Sequence, residues 1–497
     1  MPREEEFFYH HADADEKAAG AAAAAALAGR RALILGGGPA GLSLALALHQ
    51  RGCEVQVHER SSLPLTSTSP SPSSEEEESG GGGFGYLLMP NGVAALDALC
   101  GKVKQGCLAN ARQLESAEIF KRDILVEKVA MDGIYCLTRR DLISGMEQLL
   151  PEGCVVKGSH AVDIEFEGGK SNENAEQTVV TAVKVVDVAS GQGSWLRLRL
   201  CHHHRNIINH EEDDEHHNHH DKHNNGGLFD YIFAADGVNS LLAKRLNPHM
   251  NRYPGGTTNT IVTCIKDAVL ARQLRTRFIK TYFRSKSKRQ CCAFGLISPS
   301  NGNMLGFLQF STAFHGRAPY NNVDTKNQKS MHAELYKFIV DALSLPSLPF
   351  PSSSSPSSSS PDEPENIRLL RAYLKALSHY DYDYHVWRFV PSGYVDTVHG
   401  VNCALLGDAA HPMSDFSSQG LSLAIEDAVS LGNHLVASTT ATTTTTMGMD
   451  NMERKTESVC SAMQIMTVSD EALFHNTSMQ VTGYTTISCL SVMMAEI

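Results

Sequence analysis

The stretch LILGGGPAGLSLALALHQRGCEVQVHER, Leu33–Arg60, decides how the chain is read. An apolar run from Arg31 to Leu35 ends at glycine and predicts a short buried strand. Gly36, Gly38 and Gly41 follow in the spacing G-x-G-x-x-G. The first glycine allows a tight turn, the second lets the backbone approach a pyrophosphate, and the third lets a helix pack on the strand. The segment Ala40 to Arg51 is almost wholly apolar and predicts a buried helix. Its N-terminus, opening at Pro39 and with free N–H groups from Ala40 on, presents these and about half a positive charge to an anion. Cys53 to His58 predicts a second strand. It ends at Glu59, where a carboxylate can bond a ribose hydroxyl, with Arg60 beside it.

Glycine spacing by itself is a weak signal. Gly80, Gly82 and Gly85 repeat it in SGGGGFG, after a Ser/Glu-rich run and not after a strand, and read as a coincidence within a linker. The first match has strand, helix, second strand and acid in order, and predicts a dinucleotide site. It does not say whether that dinucleotide is a nicotinamide or a flavin.

A length of 497 residues suggests about three domains. Several tracts cannot bury a core, however. They are the Ser/Pro/Glu/Gly-rich Ser61 to Gly83, the Ser/Pro-rich Ser347 to Pro364, and the threonine run Ala437 to Thr446. A further tract holds His202–His204, His210, His216, His217, His219, His220 and His223 among acids, between strands predicted at Trp195–Leu200 and Phe229–Asp236. It offers many weak ligands without a frame and reads as a polar loop with no metal site. The formal charge of −12 and the lack of a basic face exclude nucleic acid as a partner. Twelve cysteines without a C-x-x-C pair point to a reducing, cytoplasmic setting. The acidic N-terminus lacks the pattern of a signal peptide, and no run of ~20 apolar residues predicts stable membrane insertion. No feature specifies an oligomeric state.

Two distal motifs bear on the nucleotide. YIFAADGVNS, Tyr231–Ser240, is an apolar run ending at Asp236-Gly237. CALLGDAAHPMSDFSSQGLSLAIEDAVSLGNHL, Cys403–Leu435, runs into Gly407-Asp408 and then, past Gln419-Gly420, into an apolar helix. With the glycine fingerprint and TRRDL at Thr138–Leu142, these motifs resemble the class A FAD-dependent monooxygenases, the aromatic-ring hydroxylase family of para-hydroxybenzoate and salicylate hydroxylases. The resemblance covers roughly Arg30 to Leu435, insertions aside, and GDAAHP after a strand is its most specific element.

The resemblance implies an α/β fold. A doubly wound, Rossmann-like FAD-binding domain, mostly parallel with helices on both faces, would carry a second, substrate-binding domain with a mixed or antiparallel sheet. Residues 1–29 read as a disordered N-terminal segment, and 30–250 with 396–438 as the discontinuous FAD-binding domain, with insertions at 61–83 and 201–227. Residues 251–395 read as the substrate domain, with the insertion 347–364, and 439–497 as a divergent tail. Strands are expected at IVTCIK, CCAFGLIS and MLGFLQF, and a short helix at Met331–Leu343.

Carried over by position, the resemblance implies that Gly36, Gly38 and Gly41 take the FAD pyrophosphate and Glu59 the adenosine ribose. It implies that Arg139 or Arg140 reaches the phosphate or ribityl region, R-x-x-L favouring the first and R-D-L the second. Gly407 leads to Asp408, which would bond a ribityl hydroxyl, while Asp236 and Gly237 would hold both nucleotides. Gln419, Gly420, Leu421 and Ser422 would bring a helix N-terminus towards the isoalloxazine, where it suits an anionic reduced flavin. Asp236 can equally cap the next helix, and His411 reads as structural. The chain departs from the family's usual proline at Asp415, glycine at Ser418, asparagine at Ser422 and arginine at Ala243. A Cβ at Ser418 would oppose a glycine-type dihedral. The implied reaction is hydroxylation of a small aromatic substrate with NAD(P)H and dioxygen. The departures keep two alternatives in view, a flavin reductase or dehydrogenase and a flavin-binding protein without hydroxylase activity.

Overall fold

The computed structural model describes residues 26–62, 85–167, 178–199, 228–248, 258–284, 291–300, 303–311, 363–377, 382–389, 395, 397–412 and 418–441. In chain order its elements are β1 (Arg31–Leu35), α1 (Pro39–His49), β2 (Glu54–Glu59), β3 (Gly85–Leu88), α2 (Pro90–Leu99), α3 (Gly101–Leu108), β4 (Arg112–Gln113), β5 (Ser116–Lys121), β6 (Ile124–Ala130), β7 (Tyr135–Thr138), α4 (Arg139–Glu147), β8 (Val155–Lys157) and β9 (Ser159–Phe166). There follow β10 (Val180–Asp187), β11 (Gly193–Arg197), β12 (Tyr231–Ala234), α5 (Leu241–Leu246), β13 (Thr258–Lys266), α6 (Ala268–Leu274), β14 (Arg277–Arg284), β15 (Cys291–Ser300), β16 (Asn303–Ser311), α7 (Glu365–Leu377), β17 (Tyr382–Phe389), β18 (Cys403–Leu405) and α8 (Gly420–Ala441).

The nucleotide half is built on a sheet ordered β18-β12-β1-β2-β8, each neighbour parallel to the next. Successive side chains of a strand point to opposite faces. On β1, Ala32 and Ile34 therefore join one core, with α1, α4 and α8, while Leu33 and Leu35 join another. That double burial explains why RALIL is apolar throughout instead of alternating. The helix α1 is buried from Ala40 to Leu48 because it lies between the sheet and α8, so no polar face is needed.

The second face differs from the expected helical layer. An antiparallel sheet, β11-β10-β9, covers it together with the short α5. β10 buries Val180, Val183 and Val185 against Leu33 and Leu35. An alternating strand supplies one apolar face at little chain length, which is all this layer requires.

A larger mixed sheet runs β17-β13-β16-β15-β14-β5-β6. The strands expected at IVTCIK, CCAFGLIS and MLGFLQF are β13, β15 and β16. The sheet also recruits β5 and β6 from residues 116–130, inside the stretch that sequence reading gave to the nucleotide domain. Helix α7 covers one face with Leu369, Leu370, Tyr373, Leu374 and Leu377. Tyr373 donates to the Thr263 carbonyl at 2.8 Å, and Gly306 leaves room for its ring, since a Cβ there would lie 2.6 Å from Cε1. A small sheet, β3-β7-β4, lies against the opposite face through Cys136, Ile297 and Leu305. Gly85 opens β3 and is no linker residue; a Cβ there would meet Leu305 Cδ1 at 2.4 Å. The helix expected at Met331–Leu343, the histidine tract and Asp415 lie outside the described residues.

Candidate functional site

The sequence motifs meet at the carboxyl ends of three adjacent parallel strands. Gly36 follows β1, Asp236-Gly237 follows β12, and Gly407-Asp408 follows β18. Gly36 is forced twice over. Its φ is +101°, and a Cβ would stand 2.4 Å from the Ala235 carbonyl oxygen. Gly41 lets α1 cross the turn, since a Cβ there would be 2.0 Å from the Gly36 carbonyl oxygen. Gly407 has φ +56° and packs against Ala40 and Ala424. These contacts make the GDAA turn, α1 and α8 one close-packed unit.

Gly38 is different. It is the N-cap of α1 with ordinary φ, no side-chain cap, and nothing within 4 Å of a Cβ built on it. An open space therefore lies beside an uncapped helix N-terminus, with Pro39 as the first helical residue and no acid in the first turn. Such a place accepts a phosphate. Glu59 stands at its edge. Its Oε2 accepts from the Gly37 N–H at 2.7 Å and its Oε1 from the Ser61 N–H at 2.9 Å. Gly37, which sequence reading passed over, is the residue that seats Glu59. Arg60 is exposed beside it.

The carboxylates of Asp236 and Asp408 are reached by solvent yet crowded by protein, as groups lining a cleft are. Desolvation pushes both above the usual carboxylate range. Ser240 and the Leu241 N–H oppose the shift at Asp236, and His411 opposes it at Asp408. Asp236 also caps α5, through the Leu241 N–H at 3.2 Å. Helix α4 starts at Arg139, after Thr138, which accepts from the Asp141 N–H at 3.1 Å. Arg139 hydrogen-bonds the Tyr86 hydroxyl, whose ionisation burial disfavours first and the Asp408 charge further. Tyr86, Arg139 and Asp408 thus form one polar wall, and Tyr86 carried no signal in the sequence. The Nε of Arg140 is buried without a partner among the described residues.

At the far side lies the start of α8. Leu421 and Ser422 are buried, and Gln419 and Gly420 are half-buried. Ser418 keeps φ +55°, the left-handed conformation for which glycine was expected. Asp427, buried on α8, accepts from the Gly407 N–H at 2.8 Å and lies 2.6 Å from His411 Nε2. His411 is therefore a strut, as expected, and Asp427 is its missed partner. The described cysteines form no disulfide, and no cluster of metal-ligating side chains occurs among the described residues. No helix among the described residues is long and apolar enough to cross a membrane.

No protein-family model matches the chain. A segment of 163 residues, 32% of the chain, is 32% identical to Monooxygenase 1 of Arabidopsis thaliana and spans 34% of that protein's length. A Photorhabdus luminescens structure, described as an FAD-containing monooxygenase, aligns with a TM-score of 0.52 at 16% identity, over 89% of this chain and 97% of that one. A structure of CtdE with FAD and a substrate aligns with a TM-score of 0.52 at 13% identity, over 92% of this chain and 90% of that one. The chain has the fold of FAD-containing monooxygenases.

In this monooxygenase fold the residues present suit FAD. The open space at Gly38, the uncapped start of α1 and the seated Glu59 fit a diphosphate and a ribose. The buried Nε of Arg140 and the Tyr86–Arg139–Asp408 wall supply polar groups for the rest of an extended dinucleotide.

Proposed function

We propose that the chain is an FAD-dependent monooxygenase that hydroxylates a small aromatic molecule, with NAD(P)H as electron donor and dioxygen as oxidant. The observation that carries this reading is the position of Gly38, Asp236 and Asp408 just past the carboxyl ends of three adjacent parallel strands, with open space beside Gly38, where such sheets bind ligands. Bound FAD would supply the redox chemistry, taking electrons from NAD(P)H and activating dioxygen.

The protein's own residues bind and orient. Gly36, Gly38, Gly41 and the start of α1, Pro39 and Ala40, receive the diphosphate. Glu59, flanked by Arg60, receives the adenosine ribose. Arg139, held by Tyr86, and Arg140 face the phosphate and ribityl region, and Asp408 accepts from a ribityl hydroxyl. Asp236 and Gly237 border both nucleotides. Gln419, Gly420, Leu421 and Ser422 turn the N-terminus of α8 towards the ring, where its N–H groups favour negative charge. The substrate would lie between this half and the part of the large sheet's face opposite α7 left open by β3-β7-β4, where the partly buried Phe278 and Phe307 would supply apolar wall. The cysteine usage of the sequence, twelve without a C-x-x-C pair, is the ground for assigning a reducing, cytoplasmic setting.

The test is to purify the protein with FAD and follow NAD(P)H oxidation together with oxygen uptake against a panel of phenols. Stimulation of both by an aromatic compound, with a hydroxylated product, is expected. Turnover without oxygen uptake would make it a reductase or dehydrogenase, and no stimulation by any phenol would count against the aromatic substrate.

A further inference from the structure

We propose that Asn91 is a positioning residue that holds the entry turn of α8, Ser418–Leu421, in the conformation that receives FAD; this rests on the FAD-binding reading above. Asn91 is the second residue of α2, on a different element from every residue given a cofactor role. Its Nδ2 donates to Glu426 Oε2 at 3.0 Å and to Gln419 Oε1 at 3.4 Å. One amide group has two hydrogens, so both bonds can be made at once. The neighbours of Asn91 reinforce it. The Met89 N–H donates to Ser422 Oγ at 3.1 Å, and a Cβ on Gly92 would stand 2.6 Å from that same oxygen. The start of α2 therefore grips the first two turns of α8 through three residues, Met89, Asn91 and Gly92.

The turn needs such a grip. Ser418 sits at φ +55° with a side chain, a conformation that costs about 1 kcal/mol or more and persists only when the surroundings enforce it. Gln419 is the next residue, so a bond on its side chain constrains the strained backbone directly. Glu426, one and a half turns along α8, anchors Asn91 from the rigid part of the helix. Burial raises the Glu426 carboxyl above its ordinary range and the Asp427 charge adds to this, while the Asn91 bond opposes it. If the grip fails, Ser418 relaxes and the N–H groups at the start of α8 turn away from their ligand.

The experiment is a double-mutant cycle on the FAD-loaded protein. The readouts are the dissociation constant for FAD, the visible spectrum and the midpoint potential of the bound flavin. Asn91→Leu should weaken FAD binding about tenfold and lower the potential, because the helix N-terminus no longer faces the reduced ring. Ser418→Gly removes the strain, so it should restore FAD binding and potential in the N91L background, the single S418G variant being measured as the third corner of the cycle. Equal FAD affinity, spectrum and potential in N91L and the parent would overturn the proposal, as would strictly additive effects in the double variant. Should N91L be insoluble, Glu426→Gln weakens the anchor on the other side of Asn91 and is read with the same rescue and the same overturning results. A parent protein that fails to take FAD refutes the cofactor reading itself, and so is distinct from a parent that binds FAD while N91L is unaffected.

Discussion

Gly36 and Gly38 are two residues apart and should fail in opposite ways. At Gly36 an alanine meets the Ala235 carbonyl oxygen at 2.4 Å on a left-handed backbone. Gly36→Ala should cost about 2–4 kcal/mol of stability, measured by urea unfolding. At Gly38 an alanine meets nothing protein. Gly38→Ala should cost the FAD-free protein no more than about 1 kcal/mol, the difference between glycine and alanine as an N-cap, yet weaken FAD binding by about tenfold or more, because the methyl fills the space for the diphosphate. Unchanged FAD binding in a folded G38A would show that the space is not a ligand's. His58 makes a third residue-scale prediction. Its ring is buried, Nδ1 lies 2.8 Å from Ser159 Oγ, and Nε2 has no partner among the described residues. Burial lowers its pKa to about 4 from 6.5. The unfolded chain therefore takes up a proton that the folded chain refuses. Stability should be intact above 6.5 and fall by about 3 kcal/mol as pH drops towards 4. His58→Gln should flatten that slope in unfolding curves taken at several pH values. The glycines were legible because their backbone roles follow from spacing. Tyr86, Asp427 and Gly37 were not, because each acts through a partner distant in sequence or on another element.

Helix α8 ties the site together. Asp427 links it to the Gly407 turn and to His411, Ser422 to Met89, and Glu426 to Asn91. Asp427→Ala should strand the buried Gly407 N–H and the imidazole, at about 3 kcal/mol by urea unfolding, with weaker FAD binding. A loss well under 1 kcal/mol would show that the strut is dispensable. In the other half, Tyr373→Phe removes the hydroxyl that bonds Thr263 and should cost about 1–2 kcal/mol. The strands and helices around the glycine fingerprint were legible within a residue or two, since both faces of β1 are buried and its pattern is unbroken. Helix α7 was missed although ENIRLLRAYLKAL is amphipathic, because it emerges directly from a Ser/Pro-rich tract. The three-stranded sheet behind the parallel one was missed as a layer for a different reason. Alternating strands announce that they have an apolar face, but not what it covers.

At the scale of the molecule, the chain couples a rigid parallel sheet to a large mixed sheet, and β5 and β6 belong to the latter though they precede much of the former in sequence. No local signal predicts such an exchange; it follows from the parallel register of β5 on β14. The central claim is that the crevice at the ends of β1, β12 and β18 holds FAD. The direct test is the visible spectrum of the purified protein after incubation with excess FAD and gel filtration, with G38A alongside. The account predicts the absorption of an oxidised flavin, near one FAD per chain, with little or none retained by a folded G38A. A colourless parent, or flavin held equally well by both proteins, would contradict it.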